Sequence, residues 1–298
     1  MNSNQAHEPA LLSLRRPLLQ LLAGSVCISF SPIFIKLAAV APDAAGFYRM
    51  LFSGLSLLLW MAFARIAWRM PRRAVLVLAG GGLCLGIDFM CWHRSIHLVG
   101  PGLSTLLGNF QVFFTAVFSW LLLRQRLSPL FLAAVGMALA GLLLITGLDL
   151  ASLDAGTRLG IALGLGTAVC YSGYILLIKQ AMTHPAVSGV SAMLVISLVC
   201  MSFMGVATGV GGASFAIPDT ASLLALIAVG VLSTTLGWSL ISSAMRHVPA
   251  TLASLVLLLQ PALSFAWDVL IFHRPTAGHE VFGIGLILTA IFLGSRRG

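Results

Sequence analysis

Charge is what this sequence has least of. Only 8% of its 298 residues are Asp, Glu, Lys or Arg, against roughly 25% in a soluble domain. A water-facing surface cannot be built from so few. The five cysteines, Cys27, Cys84, Cys91, Cys170 and Cys200, all fall in apolar stretches with no C-x-x-C pair, which excludes a disulfide framework and a zinc site. Catalytic signatures are missing as well: there is no H-E-x-x-H, G-x-S-x-G, P-loop or dinucleotide fingerprint. Asp88 stands in Leu85-Gly86-Ile87-Asp88, not in the G-x-G-D arrangement of intramembrane aspartyl proteases, and Asp268 has no motif. No enzyme, cofactor or metal is expected.

What is present is apolar sequence. Hydrophobic residues make up 59% of the chain and mean hydropathy is +1.03. At about 20 residues per transmembrane helix the chain has room for at most about twelve spans and for no soluble domain. The uninterrupted apolar runs predict ten, an all-α integral membrane protein: spans 1 to 10 at 18–39, 44–64, 74–94, 102–123, 129–147, 159–182, 187–210, 221–245, 250–272 and 279–295. Pro42-Asp43, Pro71-Arg72-Arg73, Gly100-Pro101-Gly102, Ser128-Pro129, Pro218-Asp219 and Arg274-Pro275 punctuate these runs with residues that helices avoid inside. The first run resembles a signal peptide in having Arg15-Arg16 before it and Ala39-Val40-Ala41 after it. It is longer than an h-region of about 7 to 15 residues and contains Lys36, so it reads as a retained span.

A net charge of +9 raises the question of nucleic acid, and the positions of the basic residues exclude it. With the N-terminus in the cytoplasm, Arg15, Arg16, Arg65, Arg69, Arg72, Arg73, Arg124, Arg126, Lys179, Arg246, Arg296 and Arg297 all sit at cytoplasmic ends. Only Arg94, Arg158 and Arg274 face the other side, and Lys36 and Arg49 lie within spans. This asymmetry follows the positive-inside rule with both termini inside, as expected of a bacterial inner-membrane protein. The expected partners are the bilayer and a small-molecule substrate; the sequence sets no oligomeric state.

The chain repeats itself. A shift of 143 carries Cys27, Ser29, Ile35 and Lys36 onto Cys170, Ser172, Ile178 and Lys179. A shift of 149 carries Gly81, Leu83, Val99, Leu103, Leu106 and Gln111 onto Gly230, Leu232, Val248, Leu252, Leu255 and Gln260. Paired lysines and glutamines are rare coincidences in so apolar a chain. The repeat divides it into a cytoplasmic tail (1–17), a five-helix unit (18–147), an external connection (148–158) and a second five-helix unit (159–298). Five is odd, so the units cross in opposite directions, the inverted arrangement of secondary transporters, whose substrate sites lie near the midplane between halves.

Polar residues inside the spans mark the candidate site. Gln260, Ser264 and Asp268 recur at i, i+4 and i+8 along one face of span 9, and Gln111, Thr115 and Ser119 do the same in span 4. Such stripes face lipid only at the cost of unpaired donors and acceptors, so they are expected to line a cavity. Hydrogen bonding between helices is the alternative, and the better one for any single Ser or Thr. Thr235, Trp238, Ser239 and Ser242 in span 8 and Tyr171 and Tyr174 in span 6 can present both an apolar face and a polar tip to a ligand, and Trp92 lies one turn from Asp88. A charge at membrane depth costs at least about 2.5–3.5 kcal/mol, so Asp88, Asp268 and Arg49 need partners, water or protonation. These three, with Lys36, Lys179 and His93, are the candidate coupling or structural charges. The pairs Gly82/Gly86, Gly160/Gly164 and Gly205/Gly209 read as close helix crossings.

Three stretches carry a family resemblance: Phe34-Ile35-Lys36-Leu37 ending span 1, Phe47-Tyr48-Arg49 opening span 2, and SWLLLRQRLSPLFLAAVGMALAGLLLI from Ser119 to Ile145. In the last, an apolar helix, a short polar turn and a Gly-containing helix follow one another. The sequence resembles the EamA family of the drug/metabolite transporter superfamily, ten-helix proteins of two inverted five-helix repeats. The resemblance implies export of amino acids or other small metabolites by alternating access, YddG-type amino acid exporters being one such relative. Efflux of drug-like compounds, and a non-transporting sensor or scaffold subunit, are the alternatives. The acidic residue that the family carries after span 4 is Gln125 here, its counterpart in the second half is Arg274, and span 7 has no counterpart of Arg49. The missing carboxylate argues for a facilitator driven by the substrate gradient alone.

Overall fold

The computed structural model describes residues 8–66, 70–125, 127–146, 154–272 and 277–295, all of it helices and short connections. Seven helical stretches are long and apolar enough to cross a membrane, and Leu107–Leu122, Pro129–Gly141 and Gly278–Leu293 are shorter apolar helices. This is an integral membrane protein. Its outward side chains include Phe63, Leu76, Leu122 and Val210, all more than 70% exposed, an apolar surface that only lipid covers at low cost. Arg69, Arg126, Arg274, Arg296 and Arg297 lie outside the described residues, as do residues 1–7 and 148–153.

The first half runs α1 (Glu8–Ser29), α2 (Ser31–Leu37), α3 (Pro42–Phe63), α4 (Arg72–Asn109), α5 (Gln111–Leu123) and α6 (Pro129–Thr146). The second runs α7 (Ala155–Met182), α8 (Gly189–Val210), α9 (Thr220–Ala228), a π-helical segment (Val229–Gly237), α10 (Trp238–Ala244), α11 (Ala250–Val256), α12 (Leu259–Phe272) and α13 (Gly278–Ser295). Helix starts in the second half are written in the sequence. Asp154 and Asp219 accept hydrogen bonds from the N–H groups of Thr157 and Ser222, and Ser188 and Ser191 form a reciprocal capping box, so exposed amides are satisfied at each start.

Several expected boundaries shift, each for a local reason. α1 extends back to Glu8, into the expected tail. The first span then breaks at Phe30 because Pro32 has no N–H to offer Ile28, and the chain restarts with Ile33 and Phe34 donating to the Phe30 carbonyl. Pro261 acts likewise in span 9: the Leu257 carbonyl takes the Gln260 N–H at 3.0 Å instead. Helical conformation also continues through the expected break at Gly100-Pro101-Gly102, but α4 is not one rod. The Ser104 hydroxyl reaches the Trp92 carbonyl at 3.4 Å, twelve positions that a straight helix would separate by about 18 Å. The chain therefore doubles back between Trp92 and Ser104, the stretch that contains the expected break.

Packing is symmetric under exchange of the halves. α3 lies along α8 and α6 along α13, while α1 crosses the π segment and α10 as α7 lies along α4. Small residues set the close approaches. A Cβ on Gly82 would meet Val199 at 2.8 Å and one on Gly86 would meet Phe203 at 2.6 Å, while Gly164 meets both Leu107 and Ser95, the two arms of α4. Gly205 faces Phe47, but Gly209 has nothing within 4 Å, so the third G-x-x-x-G pair is only half a crossing.

Candidate functional site

Where the halves meet, α3 comes unusually close to the π segment. A Cβ on Gly230 would stand 2.6 Å from the Phe52 Cβ and 3.0 Å from the Arg49 carbonyl, so only glycine admits this approach. The widened π turn then directs two successive threonines at α3. The Thr234 hydroxyl donates to the Val229 carbonyl five residues back (3.0 Å) and accepts from Arg49 Nε at 2.8 Å. Thr235 pairs with Ser56 at 2.6 Å and Ser53 at 3.1 Å, and Ser53 with Ser197 of α8 at 3.0 Å. A π turn offers carbonyls and hydroxyls in a register an α-helix does not, which is why such turns recur at functional sites.

Arg49 is held at its root and open at its tip. Its guanidinium carbon lies 5.3 Å from the centre of the Phe89 ring, a cation–π distance. Among the described residues its outer nitrogens, Nη1 and Nη2, form no hydrogen bond, yet the residue is only half-buried. Asp88, beside Phe89, is 7% exposed, and its carboxylate likewise accepts no hydrogen bond among the described residues. No ion pair within 4 Å joins Asp88 to Arg49 among the described residues. An arginine and an aspartate thus stand within spans 2 and 3, not ion-paired with each other and with bonding capacity unused.

Three aromatic residues of the second half pack together. Tyr171 and Tyr174 stack at 6.0 Å, and Trp238 meets Tyr174 edge-on at 4.7 Å and Tyr171 at 6.0 Å. Tyr174 and Trp238 are 0% and 3% exposed, while Tyr171 is half-buried. Gln260 lies against the Tyr171 side chain, and its Nε2 is buried without an acceptor.

The other residues expected at the site make the following contacts. Gln111 is 1% exposed; its Nε2 donates to the Ser254 carbonyl at 3.2 Å and its Oε1 accepts from Thr115 at 3.3 Å. Ser264 donates to the Ser29 carbonyl at 2.8 Å, joining α12 to the break after α1. The Asp268 side chain lies outside the described residues. Lys179 donates to the Met245 carbonyl at 2.6 Å, closing the end of α10; Lys36 occupies the last turn of α2. His93 pairs with Asp43 at 3.0 Å, tying α4 to the start of α3. Half-buried Trp92 stands one turn from Asp88 on α4. Thr234, Phe89, Ser53 and Ser197 were not singled out by their sequence; the run Ser233-Thr234-Thr235 inside a span was the available signal. An apolar groove of about 440 Å³ between α4 and α8, lined by Leu83, Val199 and Phe203 among others, contains no charged side chain.

The two halves match one family model in succession: that of the EamA-like transporter family fits residues 15–147 and again 158–296. The chain belongs to the EamA-like transporter family. No curated protein sequence matches it. A solved structure described only as "Crystal structure of protein" superposes with a TM-score of 0.79 over 94% of this chain and 96% of that one, at 17% sequence identity. That likeness concerns the fold. At the meeting of the two matched repeats, Arg49 of the first is held by Thr234 of the second.

Proposed function

We propose that this EamA-like protein exports small metabolites, amino acids in particular, by alternating access across a bacterial inner membrane. In this reading ten spans form two inverted five-helix repeats, both termini are cytoplasmic, and substrate occupies the chamber between Arg49, Asp88, Tyr171 and Gln260. The observation that carries it is an arginine and an aspartate within spans, not ion-paired with each other and each with bonding capacity unused among the described residues. A scaffold would pair or discard charges that cost at least about 2.5–3.5 kcal/mol each to insert, whereas a transporter keeps them for a ligand that repays the cost. Gln111, Thr115 and Ser264 hold the helices around the chamber, and Tyr174 and Trp238 back its wall. His93 is occupied by Asp43 and Gln125 replaces the family's acidic residue, which supports movement down the substrate gradient without proton coupling.

The test is counterflow in proteoliposomes with a panel of labelled amino acids and drug-like cations. Saturable amino acid exchange, unchanged by an imposed pH gradient, is expected. Exchange of the cations alone, or accumulation driven by the pH gradient, would contradict the reading. Reporter fusions at both termini should report the cytoplasm, and a tag in the Asp149 to Arg158 connection the outside.

A further inference from the structure

The unused bonding capacity of Arg49 and Asp88 specifies a ligand. We infer that the chamber selects zwitterions, Arg49 binding a carboxylate through Nη1 and Nη2 and Asp88 binding an ammonium group, with Thr234 as the residue that positions Arg49. The inference rests on reading the chamber as a substrate site and adds what the substrate must carry.

Arginine's planar fork matches a carboxylate only when the fork is correctly presented. Here Nε is taken by the Thr234 hydroxyl at 2.8 Å, one face lies over Phe89 at 5.3 Å, and the side of the fork bearing Nη1 and Nη2 is left free among the described residues. Thr234 cannot turn away, because its own proton is committed to the Val229 carbonyl at 3.0 Å. The hydroxyl therefore meets Arg49 as an acceptor, which fixes the guanidinium without neutralising it. A carboxylate in place of Thr234 would have cancelled the charge and closed the site to anions. Gly230 is part of the same device, since only its missing side chain brings the π turn within reach of Arg49.

Asp88 supplies the other pole. It precedes Phe89 on α4, and it interacts with Arg49 without forming an ion pair. A ligand carrying both charges offers each group its counterpart, while a simple amine leaves Arg49 unpaired and a simple acid leaves Asp88 unpaired. Leaving a buried charge without its partner is heavily penalised, so discrimination arises as much from rejecting single charges as from accepting paired ones. The apolar remainder of the ligand meets Tyr171.

Four ligands separate the contributions: phenylalanine, phenylalanine amide, 2-phenylethylamine and 3-phenylpropionate. Binding to the purified full-length protein is measured by calorimetry, and flux by counterflow of labelled phenylalanine. Wild type should bind phenylalanine at least about tenfold more tightly than each of the other three, the scale of one charge-assisted contact. Arg49→Gln should erase the preference for the acid over the amide while keeping that for phenylalanine over 3-phenylpropionate; Asp88→Asn should do the reverse. Thr234→Val, which removes the Nε acceptor and leaves both charges, should reduce the acid-over-amide preference several-fold, and Thr234→Ser should restore it. A merely structural role for Thr234 would lower the melting temperature without changing that ratio. Equal affinity for acid and amide in wild type, an Arg49→Gln protein that keeps the preference, or no binding of any of the four would overturn the inference. Selective binding without flux would overturn export and leave the zwitterion site intact; flux without selectivity would do the opposite.

Discussion

Gly230→Ala concentrates the structural argument in one methyl group. The added Cβ would lie 2.6 Å from the Phe52 Cβ, 3.0 Å from the Arg49 carbonyl and 3.1 Å from the Ser53 amide. Carbon atoms pack at about 3.5–4.0 Å, and none of these three atoms can rotate away, so the π segment and α3 must separate by roughly 1 Å. That displacement breaks the contacts Arg49–Thr234 (2.8 Å), Thr235–Ser53 (3.1 Å) and Thr235–Ser56 (2.6 Å). At about 0.6 kcal/mol for each hydrogen bond within the membrane, their loss amounts to roughly 2 kcal/mol. Alanine returns up to about 1 kcal/mol through its lower backbone entropy cost, and overpacking removes about 1–3 kcal/mol, for a net loss of about 2–4 kcal/mol. Gly209→Ala is the matched control: nothing lies within 4 Å of its added Cβ, so it should be neutral or slightly stabilising. The assay is the melting temperature of the detergent-purified protein, with amino acid binding measured on the same samples. Gly230→Ala should melt several degrees lower and lose affinity because Arg49 moves; equal melting temperatures for the two alanine variants would refute the close crossing of α3 and the π segment.

Other residues test other parts of the account. Arg65 and Arg124 close their helices with φ of 50° and 53°, a left-handed conformation that costs a side-chain-bearing residue about 1–2 kcal/mol; Arg65→Gly and Arg124→Gly should each raise the melting temperature, and a lowered one would refute the strain. Gln111→Leu should destabilise by about 0.6–1 kcal/mol, through lost bonds to Ser254 and Thr115, while leaving substrate affinity unchanged; Gln260→Leu should lower affinity and leave stability unchanged, and the reverse outcome would exchange their roles. At the start of α9, hydrogen bonds from Ser222 hold the Asp219 carboxyl below its usual range. Its cap therefore stabilises fully above about pH 3.9, the ordinary carboxylate value, and weakens as pH falls through the lower folded value. The advantage of wild type over Asp219→Asn in thermal melts should be greatest at neutral pH and vanish at strongly acidic pH; an advantage growing on acidification would contradict the cap.

Much of the architecture was legible because hydropathy and the bilayer enforce each other. Apolar runs located the seven stretches long and apolar enough to cross a membrane, and Pro32 and Pro261 lie where spans 1 and 9 break, since a missing N–H is a local fact visible in sequence. The paired Lys36/Lys179 and Gln111/Gln260 exposed the repeat. Residue identity did not reveal the environment of each copy: Gln111 bonds a carbonyl across a helix crossing, whereas Gln260 sits beside Tyr171 with an idle donor. The π segment was illegible because hydropathy is the same whether carbonyls pair at i+4 or i+5. Thr234 became visible only once Gly230 had brought α3 close. Arg49 and Asp88 were evident as costly charges, but their separation and unused valences are properties of the assembled halves. Similarly, Gly209 looked like Gly205 in sequence, and only the packing distinguishes them.

The most direct test of the central claim is counterflow of labelled phenylalanine into proteoliposomes containing equal amounts of folded wild type and Arg49→Gln. Rapid, saturable exchange by wild type, with Arg49→Gln reduced at least about tenfold at unchanged melting temperature, is the predicted result. Exchange at the same rate by both proteins, or none above protein-free vesicles from folded wild type, would show that the chamber between the repeats is not the amino acid path.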